Sequence, residues 1–357
     1  MGSFRQFGSL IDRRTMLRGG IGAGLTLPFA VPAIAAAQDH DHGATPESPS
    51  DGYVGSDPDA PTTGTAAPVT TAIVPFERYD PYLKPVEPGP KTINMFAGDR
   101  TLYVAKDVPY AAWTFDGSVP GNKLRARVGD EITFRFRVQE TATVAHSVDF
   151  HSAEGNPEEN YPTINPGEEF EFTYTPRYPG AFMYHCGTPP ILMHIAAGMY
   201  GAMIVDPEGG WPTEAQELVF VQSDFYFQDE PDENGVYHHD YDKMMGAGPM
   251  NYTVFNGHAT QYVDEPIKVR VGEPIRIFLV NAGPNVYSTF HVVGGIFDAG
   301  YFNANPENKI VGLQSMTVGP GDGIAVELTL NEPGLYPAVN HAFGHAAHGA
   351  IALLQAE

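Results

Sequence analysis

The chain has 357 residues, enough for two domains with a core each, and its formal charge of −23 argues against a nucleic-acid partner, which basic contacts and counterion release would have to hold. Its 39 Gly, 32 Pro, 21 Phe and 18 Tyr suit a turn-rich all-β protein rather than a helical one. One cysteine, Cys186, excludes an intrachain disulfide.

In chain order, Arg13-Arg14-Thr15-Met16-Leu17 precedes a Gly/Ala-rich apolar run from Gly19 to Ala37. This reads as a twin-arginine export signal over residues 1–37, cleaved near Ala35-Ala36-Ala37. The run contains Gly and Pro and is short for a membrane span, so the mature chain is expected to carry no span and to act in the periplasm or outside the cell. Residues 38–68 are Asp, Gly, Pro, Ser, Thr and Ala with almost no large apolar side chain, which predicts a disordered acidic tail. His40 and His42 within it are read as solvated.

Beyond the tail, the same landmarks recur in the same order. Phe115-Asp116-Gly117, Val128-Gly129-Asp130-Glu131-Ile132 and Pro179-Gly180 return as Phe255-Asn256-Gly257, Val271-Gly272-Glu273-Pro274-Ile275 and Pro333-Gly334. Ordered recurrence of this kind marks a duplicated unit. Period-two alternation in Glu131–Val138, Lys268–Val271 and Arg276–Val280 makes both copies β. The predicted fold is therefore all-β, two tandem Greek-key sandwich domains at 69–207 and 208–357, divided near Asp206-Pro207-Glu208-Gly209-Gly210.

The chemistry gathers around His146-Ser147-Val148-Asp149-Phe150-His151, Tyr184-His185-Cys186, His194 and Met199. One thiolate, two imidazoles and a thioether form the ligand set of a type 1 copper, assigned here to His146, Cys186, His194 and Met199. His146 is expected from a separate strand, and the other three from one strand-to-loop hairpin. Met193, the rival thioether, is assigned to packing.

Neighbouring strand residues point to opposite faces, so if Cys186 faces the type 1 copper, His185 faces away. His151, an odd number of positions from His146, leaves that face too, and the pair can start a second metal site. A catalytic metal needs a third imidazole and an open position. His341, which holds in the second copy the place of His185 in the first, is the candidate, either from the same chain or from a neighbouring subunit.

With Trp113-Thr114-Phe115-Asp116-Gly117, Gly198-Met199, Thr289-Phe290-His291 and Val339-Asn340-His341 added, the chain resembles the copper-containing nitrite reductases over roughly residues 90–357. The resemblance implies two cupredoxin domains and one-electron reduction of nitrite to nitric oxide and water, with copper of type 1 and type 2, two per chain. It also implies a homotrimer in which His341 completes the type 2 site with His151 and His185 of the adjoining chain. Asp149 matches the family's catalytic aspartate, His291 its catalytic histidine, and Val293 an apolar residue of the substrate pocket. Electrons would come from a small donor protein, a cupredoxin or cytochrome c, and cross from Cys186 to His185.

Two features depart from the family pattern. The segment from Cys186 to His194 is one residue shorter, and Ile296 replaces a histidine found in many members. His345 and His348 are expected as surface or supporting residues, and His238, His239 and His258 as exposed loop residues. The alternative is a two-domain multicopper oxidase acting on dioxygen or another small nitrogen compound; against it, the chain lacks His-x-His pairs outside the tail, and Cys186 precedes Gly187 rather than histidine. A plain electron carrier would use the type 1 ligands alone.

Overall fold

The computed structural model describes residues 73–357, so the expected export signal and tail lie outside the described residues. The first group of strands comprises β1 (Lys91–Ala105), β2 (Val108–Phe115), β3 (Leu124–Arg127), β4 (Ile132–Val138), β5 (Asp149–Phe150), β6 (Glu169–Tyr174), β7 (Gly180–His185) and β8 (Tyr200–Asp206). They pair as β2-β1-β4-β6 and β3-β8-β7-β5.

The second group is β9 (Gln216–Phe225), β10 (Tyr252–Phe255), β11 (Ile267–Val269), β12 (Pro274–Gly283), β13 (Ser288–Val292), β14 (Phe297–Phe302), β15 (Lys309–Leu313), β16 (Met316–Val318), β17 (Gly323–Thr329), β18 (Gly334–Asn340) and β19 (Ile351–Ala356). Its sheets run β10-β9-β12-β17-β14-β15 and β11-β19-β18-β13-β16. Among the described residues, no helix is long and apolar enough to cross a membrane.

The duplication is visible in backbone detail. Asp116 and Asn256 both adopt left-handed backbone, with φ of 53° and 54°, and each is followed by a positive-φ glycine. A short polar side chain tolerates that conformation and can bond the backbone beside it. Phe96 N–H donates to Asp116 Oδ1 at 2.9 Å, and Val221 N–H to Asn256 Oδ1 at 2.7 Å, so each turn ties down the neighbouring strand in the same way. Burial pushes the Asp116 carboxyl up to about 7.

Each sandwich fills its own interior. Phe134, Phe136, Phe150, Phe172 and Tyr184 pack in the first, and Phe220, Phe255, Ile277, Phe290 and Phe297 in the second. A third core joins them, containing Tyr110, Ala181, Met183, Tyr200, Val221, Phe225, Phe278 and Tyr301. Alternation explains how one strand serves two cores: in β9, Leu218 and Phe220 face inward while Val219 and Val221 face the other sandwich. Each such fully buried side chain contributes roughly 1.5–3 kcal/mol.

The shared core covers the second face of one strand. Arg276-Ile277-Phe278-Leu279-Val280 alternates with period two, and all five residues are buried. Phe278 and Val280 enter the shared core, and Arg276 is paired rather than solvated. Its guanidinium donates to Glu327 Oε1, to Glu217 Oε1 at 2.7 Å and to the Thr213 carbonyl, and it lies 4.1 Å over the Trp211 ring. Glu217 also meets Arg125 of β3, which grips Asp206, so one ionic network clasps the connection between the sandwiches.

Removing one partner of a buried ion pair strands the others, at about 3–5 kcal/mol. Arg276→Met is expected to lower unfolding free energy by that amount in urea titration. Adding Glu327→Leu should recover part of the loss, because one stranded carboxylate is then gone.

Candidate metal centres

Two strand ends set the arrangement. In the β5–β7 ladder Asp149 is opposite His185 and Phe150 opposite Tyr184. Phe150 and Tyr184 turn inward, with ring centroids 5.4 Å apart, and the pleat sends Val148, His146 and Cys186 toward that same interior. Asp149, His151 and His185 are left on the opposite face. Phe150 thus keeps the register in which Cys186 faces the core and His185 the outer side.

On the inner side, His146, Cys186 and His194 bring their ligand atoms within 4.8 Å of one another. Cys186 Sγ is 3.2 Å from His194 Nδ1 and 3.9 Å from His146 Nδ1, and the two Nδ1 atoms are 3.2 Å apart. His146 is held by paired backbone bonds with Ile164. His194 is carried not by a loop, as the hairpin reading expected, but by the short helix Ile191–Ala196, whose start follows Pro190. Pro190 cannot donate a backbone hydrogen bond and so suits the edge of a helix.

Met199 is fully buried beside this group: its N–H reaches the His194 carbonyl, and the Cys186 N–H its carbonyl, both at 3.1 Å. The return is made at Gly198, with φ of 124°, where a Cβ would approach Val119 Cγ2 to 2.6 Å and the Trp113 carbonyl to 2.9 Å. Met193 is partly buried and packs both against the first core, which includes Cys186 and Met199, and against Tyr226 and Met244.

The electrostatics suit a soft cation. Burial lowers His146 to about 3 and His194 to about 4, so both imidazoles are neutral with lone pairs available. Burial raises the Cys186 thiol, opposed by hydrogen bonds from Ser147 and Thr188. Ser147 N–H donates to Sγ at 3.4 Å, and Ser147 Oγ accepts from Gly187 N–H and the Thr188 hydroxyl. A buried thiolate with two neutral imidazoles in an apolar shell fits copper, which supplies the positive charge the thiolate lacks.

On the outer side, Asp149, His151 and His185 form the second convergent group. His151 Nε2 and His185 Nε2 are 3.1 Å apart, and Asp149 Oδ2 is 3.8 Å from His185 Nε2. Each ring's other nitrogen meets a carbonyl: His151 Nδ1 donates to Gly321 at 3.1 Å and His185 Nδ1 to Cys186 at 2.9 Å. Carbonyl acceptors fix the Nδ1–H tautomer and leave both Nε2 lone pairs for a metal. Burial also lowers His185.

His341 does not join these residues: among the described residues that ligand group contains only Asp149, His151 and His185. It follows β18, exposed, with its ring centroid 5.4 Å from that of His291 and its N–H on the Thr289 carbonyl. His291 Nδ1 donates to the Gln314 carbonyl. Val293 and Ile296 are exposed, at 41% and 68%. His345 meets the Asn340 amide at 3.3 Å, a supporting contact.

Two of the three loop histidines, His239 and His258, are placed differently from expectation, while the His238 side chain is 45% exposed. His258 is buried with its ring centroid 4.1 Å from that of Phe76, and His239 is partly buried against Trp113 at 5.1 Å. His238 holds Asp232 at 3.0 Å. Polar neighbours in sequence concealed apolar neighbours in space.

A family model described as multicopper oxidase matches residues 97–210. A copper-containing nitrite reductase of Neisseria meningitidis serogroup B is 37% identical over 275 residues, 76% of this chain and 70% of that protein. The chain belongs to the copper-containing nitrite reductase family. A second relative, from Alcaligenes faecalis, is 30% identical over 66% of this chain and 69% of its own. The solved copper nitrite reductase of Nitrosomonas europaea superposes with a TM-score of 0.69 at 34% identity, over 75% of this chain and 94% of that one. A multicopper oxidase structure, 23% identical with a TM-score of 0.66 over 79% and 94% of the two chains, shares the fold. The sandwiches of this nitrite reductase family member are therefore cupredoxin-like, and copper is its metal.

The depressed histidines make a stability prediction. The unfolded chain binds protons at His146 and His194 below about 6.5, whereas the folded chain resists them down to about 4 and below. Their contribution is therefore full above neutrality and lost as pH falls from about 6.5 toward 4. The copper-free protein's urea midpoint should fall across that window, and His146→Gln should flatten the dependence.

Proposed function

We propose that this chain is a copper nitrite reductase that converts nitrite, one electron and two protons to nitric oxide and water. One observation carries the reading: adjacent residues of one strand end, His185 and Cys186, belong to two separate ligand groups. Their shared peptide is a covalent link of a few bonds between the groups. The family's solved members, at 34% identity and below in the structures compared, support the same assignment.

In this reading His146, Cys186, His194 and Met199 hold the type 1 copper. His151 and His185 hold the type 2 copper with His341. Bound there, copper supplies one-electron transfer and a Lewis acid for the anion. The chain's own residues do the rest. Asp149, partly exposed beside His185 Nε2, accepts and passes a proton to the oxygen that leaves as water. His291, oriented by the Gln314 carbonyl, supplies the second proton. Val293 gives the anion an apolar wall.

His341, exposed, and His291, partly buried, pair apart from His151 and His185, which supports completion of the type 2 set by a second copy. The assembly is a homotrimer with type 2 copper at each subunit interface. We read residues 69–207 and 208–357 as the two domains, and the chain as exported through its twin-arginine segment to the periplasm or cell surface. The donor is a small cupredoxin or cytochrome c.

Copper analysis is expected to give two metals per chain, one after Cys186→Ala, and one after His341→Ala with the type 1 absorption band kept. In anaerobic nitrite turnover with an artificial donor, Asp149→Asn and His291→Ala should each lower kcat about 100-fold or more. Undiminished turnover in both would remove the proton-delivery assignment.

A further inference from the structure

The inner ligand group is sealed. His146 and Cys186 are fully buried and His194 is 3% exposed, so none of the three offers an edge to a docked protein. Trp113 of β2 lies over the histidines, with ring centroids 4.6 Å from His194 and 5.7 Å from His146. The backbone N–H of Trp113 donates to the Ala197 carbonyl and ties the strand to the end of the His194 helix. Trp113 is itself only 7% exposed.

Its outward neighbour is His239, 5.1 Å away, from the connection between β9 and β10. That connection is pinned to β2. Tyr237 N–H donates to the Pro109 carbonyl and Ala111 N–H to the Tyr237 carbonyl, both at 2.9 Å, and His239 bridges Phe227. His239 Nδ1 is buried without a hydrogen-bond partner, while the residue as a whole is partly exposed. The ring is therefore held by packing rather than by a polar anchor. Asp229, Glu230, Asp232 and Glu233, all exposed, lie along the same connection, where Asp229 pairs with Lys243 at 2.7 Å and Asp232 with His238 at 3.0 Å.

We propose that His239 and Trp113 form the electron-input route of the type 1 centre: a one-electron donor protein with a basic contact face reaches His239, and the electron crosses the packed rings to His194. The inference rests on the two-centre reading above. The donor is oxidised by one electron and the cupric type 1 centre becomes cuprous; no bond forms or breaks. Tunnelling weakens steeply with distance, and ring-centroid spacings of 5.1 and 4.6 Å keep both steps short. The acidic side chains orient a basic donor there at low ionic strength.

The test uses the copper-loaded full chain without nitrite, mixed rapidly and anaerobically with reduced cytochrome c bearing a lysine-rich face. Loss of the type 1 absorption band is followed for the parent, His239→Leu, Trp113→Leu and Trp113→Phe. The expected result is at least ten-fold slower reduction at saturating donor in both leucine variants and recovery of most of the rate in Trp113→Phe. The absorption band, the redox potential and onward transfer to the second centre after a small-radical pulse should keep parent values. Parent-like rates in both leucine variants would overturn the route alone, as would slowing that merely tracks a changed potential. A parent protein without the absorption band would overturn the two-centre reading, and the route with it.

Discussion

The pairing of β5 with β7 is the constraint on which both ligand groups depend. Phe150 and Tyr184 are opposite one another and pack into the first core, which leaves the chain no freedom to slip by one residue. A slip would send Asp149 into the aromatic interior and Phe150 to the surface. With the register held, His185 and Cys186 must face opposite ways although one peptide joins them. The proposed transfer between two coppers uses nothing beyond that pleat.

The two faces then acquire different properties from their surroundings. The inner group is enclosed by side chains, so its imidazoles stay neutral and its thiol needs a cation to ionise. The outer group is open on one side, with Asp149 partly exposed and both histidines aimed by backbone carbonyls. A closed site suits electron transfer, since little solvent must reorganise. An open one suits an anion that must enter and a product that must leave. One of the two aiming carbonyls, that of Gly321, comes from the second sandwich, so the core shared by the sandwiches also sets the geometry of the outer group.

Much of this was legible in the residues. Phe115-Asp116-Gly117 and Phe255-Asn256-Gly257 recur as landmarks of a duplicated unit, and both tie down an adjacent strand through the same side-chain oxygen. The alternation from His146 to His151 already separated the inner from the outer residues. Other features escaped. The helix Ile191–Ala196 is a single turn and a half, too short for a periodic signal, and its sequence reads as loop. In β12 the period-two pattern was real, but its second face meets another sheet rather than water, because a strand cannot report what packs on it.

Local sequence determined the strands, the turns, the ligand types and the face each ligand takes, because backbone sterics and the two-residue pleat act over a few neighbours. Tertiary structure alone decided that Trp113 packs against both His194 and His239, that the Gly321 carbonyl aims His151, and that His341 stands apart from His151 and His185. Those contacts join segments far apart along the chain. They exist only once the apolar faces of two sandwiches have been removed from water together.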